Sequence, residues 1–377
     1  MTRRLHYIDW LRVLAVLLLF PFHTWRVFNA GEAFYVKSPH LSEAINSVLW
    51  FIDYWHMPLL FLLAGASTYF ALRKRTASEY AGERFTRLGV PLLFGWLVLI
   101  PPQTWYGARF NSGYTASLWH YLTSGDFLRW NIQGGGDYYG GFGLGQLWFI
   151  MFLLFIALMA LPLLLWWRSE RGERGAARFS RFLARPWSWP VVGVLLMIAE
   201  GLPSPIDDKS YFYFMALFIL GYVIMADQAL LVSAERHRVP ALIVGTAIIV
   251  FRMATWQWHD SFADPSWQLA LFNSGVLLGV WLILLGLLGV GKRLLDRPSR
   301  ALSYLSEASY PLYILHQTVI VVAAYYLVSL PGPWAVQWLA LLAVAVAGTF
   351  GIYELVRRVG ILRFFFGMRP RAARSGA

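Results

Sequence analysis

The chain has 377 residues, of which 58% are hydrophobic and only 14% are charged, whereas soluble domains carry about 25% charged residues. This composition excludes a soluble globular protein and predicts an integral membrane protein. Cysteine is absent, which excludes disulfides, catalytic thiols and thiolate metal sites.

Ten apolar segments predict an all-α polytopic fold with about ten transmembrane helices. The first has no small-residue cleavage site, so we expect it to be retained. The segment at 187–202 is short for a span. The segment at 302–328 contains Pro311, and we expect its spanning part to begin there, with proline in the first turn. The segments are 8–28, 46–72, 88–106, 144–167, 187–202, 210–226, 239–257, 268–290, 302–328 and 334–355.

Basic residues lie mainly at the N-terminus, in every second connection and at the C-terminus, which together hold 25 of the 32 lysines and arginines. Because positively charged loops stay in the cytoplasm, this alternation predicts that both termini are cytoplasmic. The net charge of +12 is therefore a topology signal, and no nucleic-acid partner is expected. We predict a membrane domain over 1–360 and a basic cytoplasmic tail over 361–377.

The first segment carries Arg12 and His23 into the membrane. Eleven residues of helix amount to roughly 1100° of rotation and about 16 Å of rise, so the two side chains share a face. Ionisable groups in a spanning helix are costly and usually face a cavity or a pathway. Alternatively, Arg12 reaches the headgroups and His23 is bonded to a neighbouring helix. Asp9, three residues before Arg12, is placed to neutralise it.

Two connections between the apolar segments are candidates for binding ligands. In the inner one, Arg84 and Arg87 could clamp phosphates, or they could simply follow the positive-inside rule. The outer loop over 107–143 is long enough for a lid. Its tyrosines and glycines, with Trp105, Trp119 and Trp130, would suit a sugar, but aromatic residues also collect at membrane interfaces.

Five motifs in this order resemble the acyltransferase 3 family of membrane-bound acyltransferases, and within it the members that succinylate periplasmic glucans. One departure matters, because the family's Phe-Phe-x-x-Ser-Gly pattern has alanine at position 64 here, which leaves no hydroxyl to assign. The motifs are Arg12-x10-His23, His56-Met-Pro-Leu-Leu-Phe-Leu-Leu-Ala64-Gly65, Arg84-x-x-Arg87-Leu-Gly-Val-Pro91, Gln146-Leu-Trp148-Phe-Ile and Ser309-Tyr310-Pro311-Leu-Tyr313-Ile-Leu-His316.

The resemblance implies transfer of an acyl group from cytoplasmic acetyl- or succinyl-coenzyme A to a hydroxyl group of an extracytoplasmic glycan, with no metal. Arg12, Arg84 and Arg87 would then meet the coenzyme's phosphates, since arginine matches phosphate geometry. His23, in the outer half of its helix, would act as general base or carry the acyl group itself. The sequence leaves these two routes open.

Other polar residues have candidate roles in the same interpretation. His56 and Asp53, at a depth comparable with that of His23, could orient its imidazole. His316, expected in the inner half, could line the coenzyme path with Tyr313. For each histidine, a purely structural hydrogen bond between helices is the alternative.

Three residues are candidates for binding the acceptor or the acyl group. Gln146 and Trp148 begin the fourth segment near the expected depth of His23. Arg252 could bind a succinyl carboxylate, or it could pair with Asp260 or Asp264.

A secondary transporter or flippase for a lipid-linked or acylated saccharide is the alternative from another class, because intramembrane arginine and histidine also suit a proton relay. The lack of a repeated motif between the two halves counts against it. The expected partners are membrane lipid, acyl-coenzyme A and a polysaccharide or glucan acceptor, and a homodimer stays open. The expected location is the bacterial inner membrane.

Overall fold

The computed structural model describes residues 5–128, 136–204, 209–255 and 266–369. The regular structure of these residues is α-helical, apart from short 3-10 and π turns and one isolated β-bridge between Asn29 and Ser42, which confirms the all-α prediction. The helices are α1 (His6–Arg26), α2 (Glu43–Leu72), α3 (Ala77–Asn111), α4 (Leu118–Thr123), α5 (Trp148–Met159), α6 (Leu161–Trp167), α7 (Glu170–Leu183), α8 (Trp189–Glu200), α9 (Tyr211–Ile224), α10 (Gln228–Arg236), α11 (Arg238–Ala254), α12 (Trp267–Leu294), α13 (Arg300–Leu327), α14 (Trp334–Val356) and α15 (Gly360–Phe365).

Within the described residues, six helices are long and apolar enough to cross a membrane, or up to nine if each bent pair is one span. A helix occupies each of the ten predicted segments, so the chain is a multi-pass helical membrane protein. The tenth candidate is α11, whose 17 residues lie at the lower limit of a span.

Two predicted helix starts are wrong. The third segment was expected from residue 88, but α3 begins at Ala77 and includes a π turn at Phe85–Gly89. Pro311 does not start a helix either, because α13 begins at Arg300 and continues through the proline. A proline inside a helix removes one backbone hydrogen bond, and neighbouring groups can compensate for that loss within a membrane protein.

The chain forms two compact units. The first unit comprises Met1–Ala15, Trp50–Gly82 and Phe155–Ser303. The second unit comprises Val16–Leu49, Glu83–Leu154 and Tyr304–Ala377.

In the first unit, α2 and α9 pack closely and run in the same direction. A Cβ atom on Gly65 would lie 1.8 Å from the backbone oxygen of Phe218, and one on Gly221 would lie 2.0 Å from that of Leu62. Glycine is needed at both positions because such small residues let helix backbones approach in a membrane. Two membrane helices that run in the same direction must be separated in the sequence by an odd number of membrane spans. Three predicted segments lie between α2 and α9, which meets this requirement. The contacts advance by four residues on both helices: Phe61 with Phe214, Gly65 with Phe218 and Tyr69 with Tyr222.

In the second unit, the segment that follows α1 is buried. Phe34, Tyr35 and Val36 form a core cluster with residues of α13 and α14, among them Val321 and Leu341. The Lys37 ammonium donates to the backbone oxygens of Arg26 and Asn29 at 3.1 and 2.5 Å, so it stabilises the C-terminus of α1. Burial, together with the nearby Arg26 charge, lowers the pKa of Lys37 to about 8.

The C-terminal residues also belong to the second unit. Phe365 stacks on Phe94 of α3 at 4.9 Å, and Arg363 pairs with Glu307 of α13 at 3.0 Å. Gly367 has a φ of +63°, and a Cβ atom there would lie 2.6 Å from the backbone oxygen of Arg87. Arg363 and Phe366 are buried within the second unit. The basic cytoplasmic tail over 361–377 stays a prediction.

Candidate active site

Four of the residues singled out in the sequence lie together in the second unit: His23, Gln146, Tyr313 and His316. They come from α1, from the turn before α5, and from α13. The rings of His23 and His316 have centroids 5.0 Å apart, and those of Tyr313 and His316 are 5.9 Å apart. An imidazole pair is thus the centre of the cluster.

The depth predicted for His316 is wrong. It was expected in the inner half of its helix and His23 in the outer half, but rings 5.0 Å apart lie at one level. The error follows from the misplaced start of α13, which put the helix at Pro311 instead of Arg300. His316 is 1% exposed, whereas His23 is only partly buried.

The tautomer of neutral His316 follows from its hydrogen bond. Its Nδ1 lies 2.6 Å from the backbone oxygen of Tyr313. Because a carbonyl oxygen can only accept, Nδ1 carries the hydrogen and Nε2 keeps the lone pair. The ring beside His23 is therefore held by its own helix with Nε2 as the basic nitrogen.

Gln146 connects the turn before α5 to α13. Its Nε2 donates to the backbone oxygen of Ile314 at 2.8 Å, and its Oε1 accepts from Gln103 Nε2 at 3.1 Å. Tyr313 Oη in turn donates to the backbone oxygen of Gln146. Gln146 is 4% exposed, so these bonds are shielded from water and fix α13 beside the turn. Its predicted part in binding substrate stays a prediction.

Three residues that support this turn, Tyr35, Asp137 and Gly145, were not predicted from the sequence. Asp137 Oδ2 accepts from Tyr35 Oη at 2.5 Å and from the backbone N–H of Gly145 at 3.2 Å. Gly145 has a φ of +47°, a conformation that favours glycine. The signal available was a single aspartate within a run of glycines and tyrosines in the outer loop, but its partner Tyr35 lies 102 positions away in the sequence.

Burial raises the pKa of the Asp137 carboxyl, although its hydrogen bonds from Tyr35 and Gly145 act in the opposite direction. A raised pKa means that folding favours the neutral carboxyl. The resulting stabilisation is complete below about pH 4, the ordinary aspartate pKa, and is lost as the pH rises through the folded-state value. The surrounding groups are Tyr35, Tyr121 and Tyr138, with Arg26 and Glu32 beside Tyr138.

We therefore expect Asp137→Asn to change how thermal stability depends on pH. Relative to the variant, the wild type should lose melting temperature as the pH rises from 4 to 7, because only the wild type has a carboxyl to ionise. The measurement is thermal unfolding in detergent across this range. Glu43→Gln, which removes one exposed carboxylate at the start of α2, is the matched control. Wild type and Asp137→Asn curves that stay parallel would contradict the expectation.

The outer loop packs on the end of α3. Tyr121 Oη donates to the backbone oxygen of Gly140 at 2.9 Å, and Asn111 donates to that of Tyr138 at 2.8 Å. Trp119 is 74% exposed, whereas Trp105 donates to the backbone oxygen of Ala116. Trp130 lies outside the described residues. The sugar-binding role of this loop stays a prediction.

Arg84 and Arg87 flank a break in helical geometry. Arg84 ends the regular turn of α3, and Arg87 lies in the π turn Phe85–Gly89. Such π turns are frequent at functional sites. Arg87 Nε is 3.1 Å from Glu83 Oε1, so this carboxylate neutralises part of the Arg87 charge. Their binding of coenzyme phosphates stays a prediction.

The remaining candidates on α1 and α2 lie in the first unit. Arg12 pairs with Asp9 at 2.5 Å, as predicted for that neighbour. His56 Nε2 donates to the backbone oxygen of Ala15 at 2.7 Å, the kind of interhelical bond given as its structural alternative. Asp53 is exposed. The catalytic roles proposed for His56 and Asp53 are untested by these contacts.

The other two candidates have aromatic neighbours. Trp148 lies 5.5 Å from Phe152 on its own helix, between ring centroids. The Arg252 guanidinium lies over the Phe272 ring at 5.4 Å. Its predicted partners Asp260 and Asp264 lie outside the described residues. Within the described chain, no three histidine, aspartate or glutamate side chains gather as a metal site would require.

The sequence matches known proteins over nearly its whole length. Residues 5–354 match a family model described as an acyltransferase domain. Glucans biosynthesis protein C of Escherichia coli O139:H28 is 22% identical, with 99% of this chain and 97% of that protein aligned. The protein of the same name from Salmonella paratyphi A is 20% identical over 97% and 95% of the two chains. No solved structure matches.

Proposed function

The chain belongs to the acyltransferase 3 family, and from this we propose that it moves an acetyl or succinyl group from cytoplasmic acyl-coenzyme A to a hydroxyl group of an extracytoplasmic glycan. The observation that carries the proposal is the imidazole pair, in which the partly exposed His23 lies beside the buried His316. Histidine is the side chain best suited to exchange protons near neutral pH.

In the proposed reaction, His23 takes the proton of the acceptor hydroxyl while the hydroxyl oxygen attacks the thioester carbonyl. The carbon–sulfur bond breaks, and the coenzyme leaves as a thiol after receiving that proton. His316 and Tyr313, both on α13, line the path of the coenzyme beside His23. In the covalent alternative, a ring nitrogen of His23 attacks the thioester carbonyl, the carbon–sulfur bond breaks, and the coenzyme leaves as a thiol with the imidazole proton. The hydroxyl oxygen then attacks the acyl carbon, the bond from that carbon to the His23 nitrogen breaks, and the hydroxyl proton returns to His23.

For the donor, we propose that Arg84 and Arg87 bind the coenzyme's phosphates from the cytoplasm, with Arg12 as a further cation on α1. Arginine forms bidentate, charge-assisted hydrogen bonds with phosphate. The concentration of basic residues in alternate connections supports the cytoplasmic assignment of this end and of both termini. The ten-span topology and a location in the bacterial inner membrane belong to the same proposal.

For the acceptor, the name of the relatives supports a glucan. We assign its binding to Gln146, Trp148 and the aromatic outer loop, and we assign Arg252 to a carboxylate of the acyl group. His56 and Asp53 are retained as candidates for orienting His23.

The proposal is tested by mass spectrometry of cell-envelope glycans from cells with and without the intact gene. The expected result is an added acetyl or succinyl mass that depends on the gene. Glycans of unchanged mass but altered distribution across the membrane would contradict an acyltransferase and favour the transporter or flippase.

A further inference from the structure

Helix α7 in the first unit carries a stripe of arginines. Arg171, Arg174, Arg178 and Arg181 are all exposed and follow one another at spacings of three or four residues. At 100° per residue they fall within an arc of about 80° and extend over roughly 15 Å. Arg185 continues the series just beyond the end of the helix.

The opposite face of α7 is packed against the protein. Its buried residues are the small side chains Gly172, Ala176 and Ser180, followed by Leu183. Ser180 Oγ donates to the backbone oxygen of Asp227, in the connection between α9 and α10, at 3.4 Å. This packing turns the arginine stripe away from the rest of the first unit.

Most of the stripe has no partner inside the described chain. Arg181 lies 3.5 Å from Asp227, but Arg171, Arg174 and Arg178 make neither an ion pair nor a side-chain hydrogen bond with any described residue. The positive-inside rule explains why basic residues occur in this connection. The packing of the opposite face explains why they share one side of the helix. Neither explanation says what these arginine side chains bind.

The orientation of α7 and the tryptophans on either side of it indicate where the helix lies relative to the membrane. The axis of α7 lies at 99° to the apolar helix that follows, Pro186–Glu200. If that helix crosses the membrane, α7 lies along the surface. Trp166 and Trp187, on either side of α7, are 57% and 65% exposed. Exposed tryptophans are typical of the headgroup region.

We propose that the arginine stripe of α7 is a binding surface for anionic phospholipid headgroups of the cytoplasmic leaflet. Clusters of basic residues on an amphipathic surface helix are attracted to anionic lipid. A stripe about 15 Å long fits several neighbouring headgroups better than a single soluble anion. The topology proposed above enters only in the choice of leaflet, so the surface is independent of the acyl-transfer chemistry.

The test is a lipid titration of the purified full-length protein in neutral detergent, with bound lipid counted by native mass spectrometry. The wild type should bind phosphatidylglycerol in preference to phosphatidylcholine. Each arginine near a headgroup contributes roughly fivefold in affinity, so Arg171→Gln, Arg174→Gln and Arg178→Gln together should weaken phosphatidylglycerol binding about a hundredfold. Phosphatidylcholine binding should not change.

Two matched variants separate this surface from general charge effects. Lysine at the same three positions should keep the preference for phosphatidylglycerol, because the attraction depends on charge. If the glutamine variant does not fold, the lysine variant still tests the proposal, because loss of the preference in it would contradict a charge-based surface. Glutamine in place of Arg293, Arg297 and Arg300, three exposed arginines from the end of α12 to the start of α13, should leave phosphatidylglycerol binding nearly intact. Equal loss in both glutamine variants, no lipid preference in the wild type, or displacement by millimolar inorganic phosphate would overturn the proposal.

Discussion

Replacing His23 with alanine should lower glycan acylation per folded molecule by a factor of roughly 10² to 10⁴, the usual cost of losing a general base. His23→Gln should be nearly as inactive, because glutamine can form hydrogen bonds but cannot take up a proton at neutral pH. Coenzyme binding and the yield of inserted protein should stay normal in both variants. The measurement is acyl transfer to the glycan, normalised to the amount of folded protein.

A structural histidine would give the opposite pattern. Glutamine would then preserve much of the activity, and alanine would lose thermal stability before it lost turnover. A rate for His23→Gln above about a tenth of the wild-type rate would sink the proton-transfer role. In the covalent route, rapid quenching of the wild type with acyl-coenzyme A should leave the acyl group on the protein, and this signal should vanish in both variants.

Replacing Arg84 and Arg87 together with alanine should raise the dissociation constant of acyl-coenzyme A at least tenfold. Each hydrogen bond to a charged group is worth roughly 1.5–3 kcal/mol, and the two arginines are assigned to the coenzyme's phosphates. The measurement is donor binding to protein in nanodiscs. Loss of Arg87 also leaves Glu83 without that cation, so the single variant Arg84→Ala should be measured beside the double one.

A matched control removes the same charge elsewhere on the proposed cytoplasmic side. Arg297→Ala with Arg300→Ala should leave donor affinity unchanged, because both side chains are exposed and lie outside the proposed donor site. If the Arg84 and Arg87 variant bound the donor as tightly as this control, the two arginines would serve topology alone.

The helices were predictable because each apolar segment must satisfy its own backbone hydrogen bonds in lipid. A continuous apolar segment is a local feature that can be read directly from the sequence. The errors occurred where local rules have exceptions. The sequence predicts Pro311 in the first turn of its helix, yet α13 begins at Arg300 and continues through the proline. The same mistake misplaced His316, whose true neighbour is His23.

The support of the candidate site was not predictable from local patterns. Tyr35 and Asp137 are 102 positions apart, and Gln146 bonds to a residue 168 positions away. Periodicity reports which face of a helix is apolar, but it carries no information about which distant turn a carboxylate will contact. The four residues of the cluster were each identified from motifs, and only the fold joined them.

The close approach of α2 and α9 sets a constraint on biogenesis. Gly65 and Gly221, whose backbones touch across this interface, are separated by 156 positions in the chain. At a synthesis rate of about 5–20 residues per second, α2 enters the membrane roughly 10 to 30 s before α9 exists. During that interval the glycine face of α2 must be covered by lipid or by an insertion factor. Assembly of this interface is therefore necessarily a late step, one that begins only after more than half of the protein has been made.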